Sequence, residues 1–399
     1  MTDQLCDREF DFDHHDPTLT GDHVYKVYDA MRRCPVARSP HHGGFWIVTD
    51  YDGVKAVESD WETFSSADGV MFPRFPGQFN SVALEQDPPD HEAFRKHYVS
   101  LLGRKQVAAA TALIERLTRE SVVRLVSRGG GEFMQEVAAK LPVAVIASML
   151  GLSDEVARQL RELSEEAWAG YGREVNSAAR MIEVLLGEAD KRRDEPRDDF
   201  LTTIVHADIN GRPITREELG NWLQGAALAG HETTMDAAGH LILDLAVDEE
   251  LQARVRANPG LVPDLVEESL RLRPPVQNFA RVLTRDATLH GQSLKQGERI
   301  MVVYGAANRD PKYFPNPNEL DVDRKFKNHL TFGWGIHRCA GAYLAQIELR
   351  ILAQAMLDQP RFALGGAPQF THMAGGGTFM GLRNLPIVFA RSGHDDTHV

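Results

Sequence analysis

The chain has 399 residues, 43% of them hydrophobic and 25% charged, a globular composition that excludes extended disorder. Its formal net charge of -13 argues against a nucleic-acid-binding protein, because such proteins carry a basic surface, and favours a soluble protein of the cytoplasm. The three cysteines, Cys6, Cys34 and Cys339, are too sparse for a disulfide framework or a structural zinc site, so we expect a reducing compartment.

The N-terminal part of the chain is mixed in character. Residues 1–20 are acidic and lack the apolar core of a secretory leader. Two short apolar runs, 35–37 and 45–48, predict a β-hairpin, and residues 51–60 predict a short helix. Residues 67–90 are rich in proline and glycine and predict a long loop. No apolar run approaches the ~20 residues that span a bilayer, so we expect no membrane anchor.

The middle of the chain is predicted to be helical. Apolar residues recur at helical spacing in four segments, 107–127, 133–150, 154–168 and 174–190. Thr215 and Glu218 form a capping box, which opens a longer helix that runs to about Val247. The centre of this helix, residues 229–234, reads Ala-Gly-His-Glu-Thr-Thr. Such polar residues in a buried helix indicate either a local kink or a functional site.

The C-terminal part begins with a predicted helix over 261–272, which ends before a pair of prolines. Glu268 and Arg271 on this helix share one face, as they would in an ordinary surface ion pair. The remaining predicted elements are short strands, a proline-rich loop (309–317), a glycine-rich loop (333–341) and a helix (340–358). This order of elements predicts a mainly α fold with minor β structure.

The loop around Cys339 is the most informative segment. Glycines at 333, 335 and 341 let the backbone turn tightly and approach a flat ligand. A helix is predicted to begin directly after the cysteine, and the free N–H groups at a helix N-terminus stabilise a thiolate. A lone buried cysteine is usually only a small hydrophobic residue, but a thiolate in this setting suits an iron ligand.

This segment, Phe332-x-x-Gly335-x-x-x-Cys339-x-Gly341, resembles the cysteine motif of the cytochrome P450 family, and the resemblance extends over residues 20 to 390. It implies a cytochrome P450 fold, a single domain over 21–392 built around a buried haem b, with the acidic segment 1–20 before it and a polar tail, 393–399, after it. It also implies a soluble, bacterial-type haem-thiolate monooxygenase in which Cys339 is the axial ligand of the haem iron.

The resemblance assigns roles to further residues. Glu232 and Thr233 match an acid–alcohol pair that delivers protons during oxygen activation. Four cationic side chains match residues that bind the haem propionates, namely His91, Arg95, Arg281 and His337. The residues of the haem-binding loop are Phe332, Gly335 and Gly341. The structural group behind the haem is formed by Glu268, Arg271 and Arg324. For His91 and Arg95 alone, a solvated basic helix remains the alternative.

The resemblance also places a mainly apolar substrate pocket. Its predicted lining is Phe72, Phe75, Phe79, Ala229, Val276, Phe279 and Phe379, with Ala226 and Met380 nearby. For each of these residues alone, core packing is the alternative. Gln277 or Asn278 offers one orienting hydrogen bond. We expect a small or medium apolar organic substrate, aromatic or terpenoid, that undergoes hydroxylation, O-demethylation or epoxidation.

Electrons are expected to come from a separate protein, because the chain contains no recognisable flavin or iron–sulfur domain. The resemblance implies a ferredoxin and its NAD(P)H-dependent reductase as donors. Lys96, Arg104 and Lys105 form a basic patch, which is either a solvated face or the docking surface for an acidic ferredoxin. The alternative functions are a peroxide-driven haem peroxygenase, which the acid–alcohol pair argues against, and a non-catalytic haem-binding sensor.

Two patterns that suggest metal sites are set aside. His231-Glu232 begins a zinc-peptidase motif, but Met235 stands where the second histidine would be needed. The histidine pairs at 14–15 and 41–42 lie near turns, with no third ligand nearby in the sequence. We therefore expect both pairs to be exposed to solvent.

Overall fold

The computed structural model describes residues 9–74, 81–169, 177–372 and 377–390. The α-helices in these ranges are α1 (Gly21–Met31), α2 (Tyr51–Ser59), α3 (Asp90–Leu101), α4 (Arg104–Ser127), α5 (Leu141–Leu150), α6 (Asp154–Ala169), α7 (Ser177–Asp194), α8 (Phe200–Val205), α9 (Arg216–Val247), α10 (Glu249–Ala257), α11 (Val262–Leu272), α12 (Tyr304–Ala307) and α13 (Ala342–Leu357). The predicted mainly α fold with minor β structure is confirmed.

The strands are short. They are β1 (Val36–Ser39), β2 (Phe45–Val48), β3 (Phe64–Ser65), β4 (Gly130–Glu132), β5 (Asp208–Ile209), β6 (Arg212–Pro213), β7 (Asn278–Leu283), β8 (Ala287–Leu289), β9 (Gln292–Leu294), β10 (Arg299–Val303), β11 (Phe362–Leu364), β12 (Gln369–His372), β13 (Met380–Asn384) and β14 (Pro386–Phe389). Phe75, Phe79 and the tail 393–399 lie outside the described residues.

Most of the predicted local elements are confirmed. β1 and β2 form the antiparallel hairpin. The capping box opens α9, where the Glu218 N–H donates to the Thr215 hydroxyl and the Thr215 N–H donates to the Glu218 carboxylate. The single helix predicted over 133–150 is wrong, because a π-helical turn (Met134–Ala138) precedes α5. Pro142 lies in the first turn of α5, the place where a helix tolerates the missing N–H.

The largest sheet has the strand order β1-β2-β10-β7-β3. β10 pairs parallel to β2 and antiparallel to β7, so it is an interior strand. Its side chains alternate between two hydrophobic clusters: Ile300 and Val302 belong to one, and Met301 and Val303 belong to the other. This alternation follows from the two-residue period of a strand and explains why the strand is hydrophobic throughout.

Helix α9 runs through the centre of the molecule. It is 32 residues long and contacts α5, α7, α11 and α13 as well as β13. Because neighbours surround it, even polar residues of its middle turns, such as His231, Glu232 and Asp236, are buried. The helix therefore holds ionisable side chains in an environment from which water is largely excluded.

The acidic N-terminal segment is packed against the rest of the fold from residue 9 onward. Phe12 and Leu19 are buried and belong to the same hydrophobic cluster as Tyr28 and Phe45. Cys34 is disulfide-bonded, which the sequence analysis, in arguing against a disulfide framework, did not predict. None of the helices in the described ranges combines the length and apolar character that a membrane-spanning helix needs.

The expectation that the two histidine pairs are exposed is wrong for His14, whereas His42 is exposed. His14 is only 1% exposed, and its ring lies 4.4 Å from that of His15 and 5.0 Å from that of His42, measured between ring centroids. The sequence did not reveal this because the hairpin of β1 and β2 folds back onto the N-terminal segment, which brings together histidines from two distant turns.

Candidate active site

The loop before α13 presents Cys339. A short 3-10 turn (Gly335–His337) precedes the cysteine, and the backbone N–H of Cys339 donates to the Phe332 carbonyl at 2.7 Å. Gly335 adopts a φ of 65°, which favours glycine, and a Cβ on it would collide with the carbonyl oxygen of Glu58. The glycine at 335 is therefore required by both conformation and space.

Cys339 is a free, exposed cysteine, and its surroundings shift the pKa of its thiol in two opposite directions. Burial by the surrounding protein raises the pKa of its thiol, while the N–H groups of Gly341 and Ala342 and the guanidinium of Arg95 act in the opposite direction. Arg95 also donates to the carbonyl of Arg338, the residue before the cysteine. Helix N–H groups and a nearby cation favour a thiolate that can bind a metal.

Three of the four predicted propionate-binding residues meet beside this loop. The rings of His91 and His337 lie 4.6 Å apart between centroids. Neither ring nitrogen of His91, and not Nδ1 of His337, has a hydrogen-bond partner among the described residues. Burial, together with the nearby Arg281, His91 and Arg95, lowers the pKa of His337 to about 3. An anion would give the buried ring nitrogens a hydrogen-bond partner and would favour the charged forms that these neighbouring side chains now disfavour in one another.

Arg281, the fourth predicted propionate-binding residue, forms an ion pair within the protein. Its guanidinium lies on the buried carboxylate of Glu58 at 2.6 Å. Glu58 also accepts from the Tyr304 hydroxyl at 2.8 Å and from the backbone N–H of Trp334 at 2.6 Å. The sequence analysis did not identify Glu58. This carboxylate joins α2, β7 and α12 to the cysteine loop, so we name these four residues the Glu58 junction.

The residues present fit haem b. The cysteine at the start of α13 offers the thiolate, and the glycine-rich loop leaves space close to its backbone. The unpaired nitrogens of His91 and His337, together with Arg95, can donate hydrogen bonds to the two propionate carboxylates. Hydrogen bonds to a charged group such as a carboxylate are stronger than neutral ones. The second predicted group of site residues, Glu232 and Thr233, lies on α9.

Glu232 is buried on α9 and contacts Ser164 of α6, whose hydroxyl donates to its Oε1 at 2.5 Å. Burial raises the pKa of Glu232 to about 7, although the Ser164 hydrogen bond opposes this shift. Thr233, the next residue, donates from Oγ1 to the Ala229 carbonyl at 3.0 Å. Glu232 is thus a carboxyl that gains and loses a proton near neutral pH, which is the property of a general acid.

Two neighbours of Glu232 were missed by the sequence analysis. Ser164 is one, because 68 residues separate the two. Asp236, one turn further along α9, is the other: burial and the nearby Glu232 raise its pKa well above the ordinary value. Its Oδ2 has no hydrogen-bond partner in the part of the chain that the structure describes. Glu232 and Asp236 are four residues apart, and this spacing on a helix would have predicted that the two acids are neighbours.

The three residues predicted to form the structural group, Glu268, Arg271 and Arg324, contact one another. Arg271 donates from Nε and Nη2 to both oxygens of Glu268, at 2.8 and 2.9 Å, and Nε of Arg324 lies 3.0 Å from each of these oxygens. All three are buried. Although burial alone would raise it, the pKa of Glu268 is lowered, chiefly by Arg271. The remaining donors of Arg271 bind carbonyls of the proline-rich loop, including that of Pro317.

The predicted pocket residues do not all belong to one hydrophobic cluster. Phe72 and Met380 belong to one buried cluster, whereas Val276 and Phe279 pack against another. A bridge between Val276 and Phe379 joins the strand after the proline pair to the β13 region. Ala229 is exposed on α9 and Ala226 is buried.

The two candidate amides are already engaged with backbone. The Asn278 amide donates to the Gly377 carbonyl at 3.1 Å, and the Gln277 amide donates to the carbonyl of Pro274. Both side chains are buried. Their contacts hold the start of β7 against the chain near residue 378, so in this arrangement the amide N–H groups serve the protein itself.

Comparison with known proteins identifies the family of the chain. Residues 152–371 match the family model described as Cytochrome P450. The chain is 31% identical to Cytochrome P450 107B1 of Saccharopolyspora erythraea, over 90% of this chain and 93% of that protein. It is 30% identical to the Cyclomarin C epoxidase CymV of Salinispora arenicola, over 86% of this chain and 90% of that protein.

The solved structures give the same result. The crystal structure of CYP108D1 from Novosphingobium aromaticivorans is similar with a TM-score of 0.85 and 30% identity, and the similarity covers 92% of this chain and 94% of that one. A family match over more than half of the chain and a shared fold at this identity are decisive. The chain belongs to the cytochrome P450 family, whose members are oxygen-incorporating oxidoreductases that bind haem b.

Proposed function

We propose that this chain inserts one oxygen atom from O2 into a small or medium apolar organic molecule, by hydroxylation, O-demethylation or epoxidation. The observation that carries the proposal is the free Cys339 in a glycine-shaped loop before α13, beside Arg95 and two histidines, His91 and His337, with unpaired ring nitrogens. A thiolate-bound haem supplies the oxygen chemistry. The protein supplies binding, orientation and protons.

In this proposal Cys339 would hold the iron, with Phe332, Gly335 and Gly341 forming its loop, and His91, Arg95 and His337 would hold the propionates. Two carboxylates placed there would pair the buried ring nitrogens of His91 and His337 and so remove an unfavourable burial. Arg281 adds positive charge from its place in the Glu58 junction. Glu268, Arg271 and Arg324 hold the loop region in place from behind.

Glu232 and Thr233 are proposed to move protons toward the reacting oxygen. A carboxyl with a pKa near 7 can both donate a proton and recover one at neutral pH. The Thr233 hydroxyl lies one residue away, and its hydrogen bond to the Ala229 carbonyl can be exchanged for one to a water molecule. The pair would thus connect a buried acid to the substrate side of the helix.

Replacing Thr233 with alanine is expected to uncouple turnover. Without the hydroxyl, protons reach the oxygen less efficiently, so less product and more hydrogen peroxide should form for each NADH consumed through the partner proteins. The measurement is the ratio of product and peroxide to NADH oxidised. Thr234→Ala, the next residue of the same helix, serves as the matched control. An unchanged ratio in the Thr233 variant would remove this residue from proton delivery.

Replacing Ser164 with alanine is expected to raise the pKa of Glu232 further. The Ser164 hydroxyl hydrogen-bonds to the carboxylate and favours its charged form, so its removal favours the protonated form. The alkaline limit of turnover should therefore move to higher pH than in the parent protein, as measured by the pH profile of product formation. Ser177→Ala, which removes another buried hydroxyl, should leave the profile in place.

The substrate class is tested by a ferric absorbance titration against apolar aromatics, terpenoids and fatty acids. Pocket residues such as Val276, Phe279 and Phe379 support an apolar ligand, and a compound that enters beside the haem should shift the Soret band toward high spin. Absence of a haem band, with haem supplied during expression, would refute the proposed function. A haem band without any shift would instead favour a non-catalytic haem-binding sensor.

Electrons are proposed to come from an acidic ferredoxin and its NAD(P)H-dependent reductase, which also suggests a cytoplasmic site of action. The basic patch supports this partner, since Lys96, Arg104 and Lys105 are exposed. Arg104 lies 4.8 Å from the ring centroid of Tyr343, in the first turn of the helix that follows Cys339. Opposite charges at such a surface speed the encounter of two proteins.

A further inference from the structure

Three histidines form a compact group away from the site described above. His14 and His15 come from the N-terminal segment, and His42 comes from the turn between β1 and β2. Each offers one ring nitrogen, and these nitrogens all lie within 4.8 Å of one another. Two nitrogens on one zinc ion lie at most roughly 4.2 Å apart, because zinc–nitrogen bonds measure roughly 2.0–2.1 Å, so small rotations of the rings would bring all three nitrogens onto one ion.

His14 is already arranged as a metal ligand. Its Nε2 lies 2.8 Å from the Phe72 carbonyl oxygen. Since a carbonyl can only accept, the proton is on Nε2 and Nδ1 carries a lone pair. Nδ1 is buried and has no hydrogen-bond partner among the described residues. A neutral imidazole with a free lone pair is the form of histidine that binds a metal ion.

Asp13 supplies negative charge next to the group. Its Oδ1 lies 2.7 Å from Nε2 of His42 and accepts from the backbone N–H of His15 at 2.8 Å. A carboxylate that holds the second nitrogen of a histidine is the usual support of a metal ligand.

We propose that His14, His15 and His42 bind a divalent transition-metal ion of the zinc class. Neutral imidazoles suit zinc and its neighbours rather than calcium or magnesium, which prefer oxygen ligands. Because His42 is exposed, the ion reaches the group from solvent, and water completes its coordination. This site is independent of the haem-binding loop and of the proposed monooxygenase activity.

The proposed ion would join three parts of the chain. His14 and His15 belong to the N-terminal segment, His42 belongs to the hairpin, and the Phe72 carbonyl lies 2.8 Å from Nε2 of His14 and 3.3 Å from Nε2 of His15. A metal on one nitrogen of an imidazole makes the N–H on the other a stronger donor. The ion would therefore also fix the backbone at Phe72, so its structural role is to tie the N-terminal segment to this part of the fold.

The test uses the tag-free, haem-loaded protein, treated with chelator and then titrated with Zn²⁺ by calorimetry, with metal analysis of the dialysed product. We expect one equivalent of tightly bound zinc and a higher unfolding temperature in its presence. The double variant His15→Ala/His42→Ala should lose this equivalent and the thermal shift. His41→Ala, which removes a neighbouring histidine outside the group, should keep both.

Two further variants make the result independent of folding defects. His42→Ala alone changes an exposed side chain and should weaken zinc binding while the far-ultraviolet circular dichroism stays unchanged. Asp13→Asn should weaken binding by about 10–100-fold, the usual effect of losing a supporting carboxylate. The proposal is overturned if the parent protein takes up no zinc, or if the double variant binds it as tightly as the parent.

Discussion

Replacing Glu232 with glutamine is expected to lower the rate of product formation by about 10²–10⁴-fold, the usual contribution of a general acid. Glutamine has nearly the same shape and can still accept the hydrogen bond from Ser164, but it cannot give up and recover a proton. The measurement is product formed per haem under saturating substrate and reduced partner. Haem content and the ferric spectrum should match those of the parent protein.

The matched control is Glu166→Gln. Glu166 lies two residues beyond Ser164 on the same helix, is exposed, and pairs with Arg180 at 3.0 Å. Its neutralisation removes an acid from α6 without touching the Ser164–Glu232 hydrogen bond, so turnover should stay within about twofold of the parent, as expected for a weak surface pair. Equal losses in both variants would show that Glu232 acts only through the general charge of this region.

The pH dependence follows from the same carboxyl. Burial raises the pKa of Glu232 to about 7, so the protonated, donating form is present below that pH and is lost as the pH rises through it. Product formation by the parent protein should therefore decline above about pH 7. The Glu232→Gln variant, which has no proton to lose, should show no such decline in its residual rate.

Replacing Arg271 with alanine is expected to lower the free energy of unfolding by about 3–5 kcal/mol, the usual effect of removing one partner of a buried ion pair. The Glu268 carboxylate is 1% exposed, and the variant removes the guanidinium that donates to both of its oxygens. It also leaves the carbonyls of Asn308 and Pro317 without the donors that Arg271 provides. Urea unfolding followed by circular dichroism measures the change.

Arg254→Ala is the control for this experiment. Arg254 forms an equally short pair with Asp323, at 2.6 Å, but 47% and 60% of the two side chains are exposed. Exposed pairs of this kind contribute about 0–1 kcal/mol. If the Arg271 variant is no less stable than the Arg254 variant, the buried group contributes nothing beyond an ordinary surface pair.

The effect of Arg271→Ala should also depend on pH. The pKa of Glu268 is lowered in the folded protein, so its contribution to stability is present above the ordinary glutamate pKa of about 4.3 and is lost as the pH falls through the lower, folded value. The difference in unfolding free energy between parent and variant should therefore shrink below about pH 4.

Sequence patterns predicted those features that depend on neighbouring residues. The capping box at Thr215 and Glu218, the glycine loop before Cys339 and the shared face of Glu268 and Arg271 are all local, so spacing alone indicated them. The break of the predicted helix 133–150 was local too, but the helical periodicity around Pro142 obscured it.

Contacts between distant residues could not be predicted in the same way. Ser164 meets Glu232 across 68 residues, and Arg281 meets Glu58 across 223. The histidine group depends on a hairpin folding back onto the N-terminal segment. In each case the residue type is common and its surroundings in the sequence are ordinary, so only the packing of whole elements reveals the partner.

The Glu58 junction has a consequence for the order of events during synthesis. Its carboxylate comes from an early part of the chain, yet its partners follow 223, 246 and 276 residues later. Contacts over such separations form late, because long loops must close first. A growing chain on the ribosome therefore cannot hold the cysteine loop in shape until Trp334 has emerged. If Cys339 holds the haem as proposed, the cofactor would bind only after the nearly complete chain has folded.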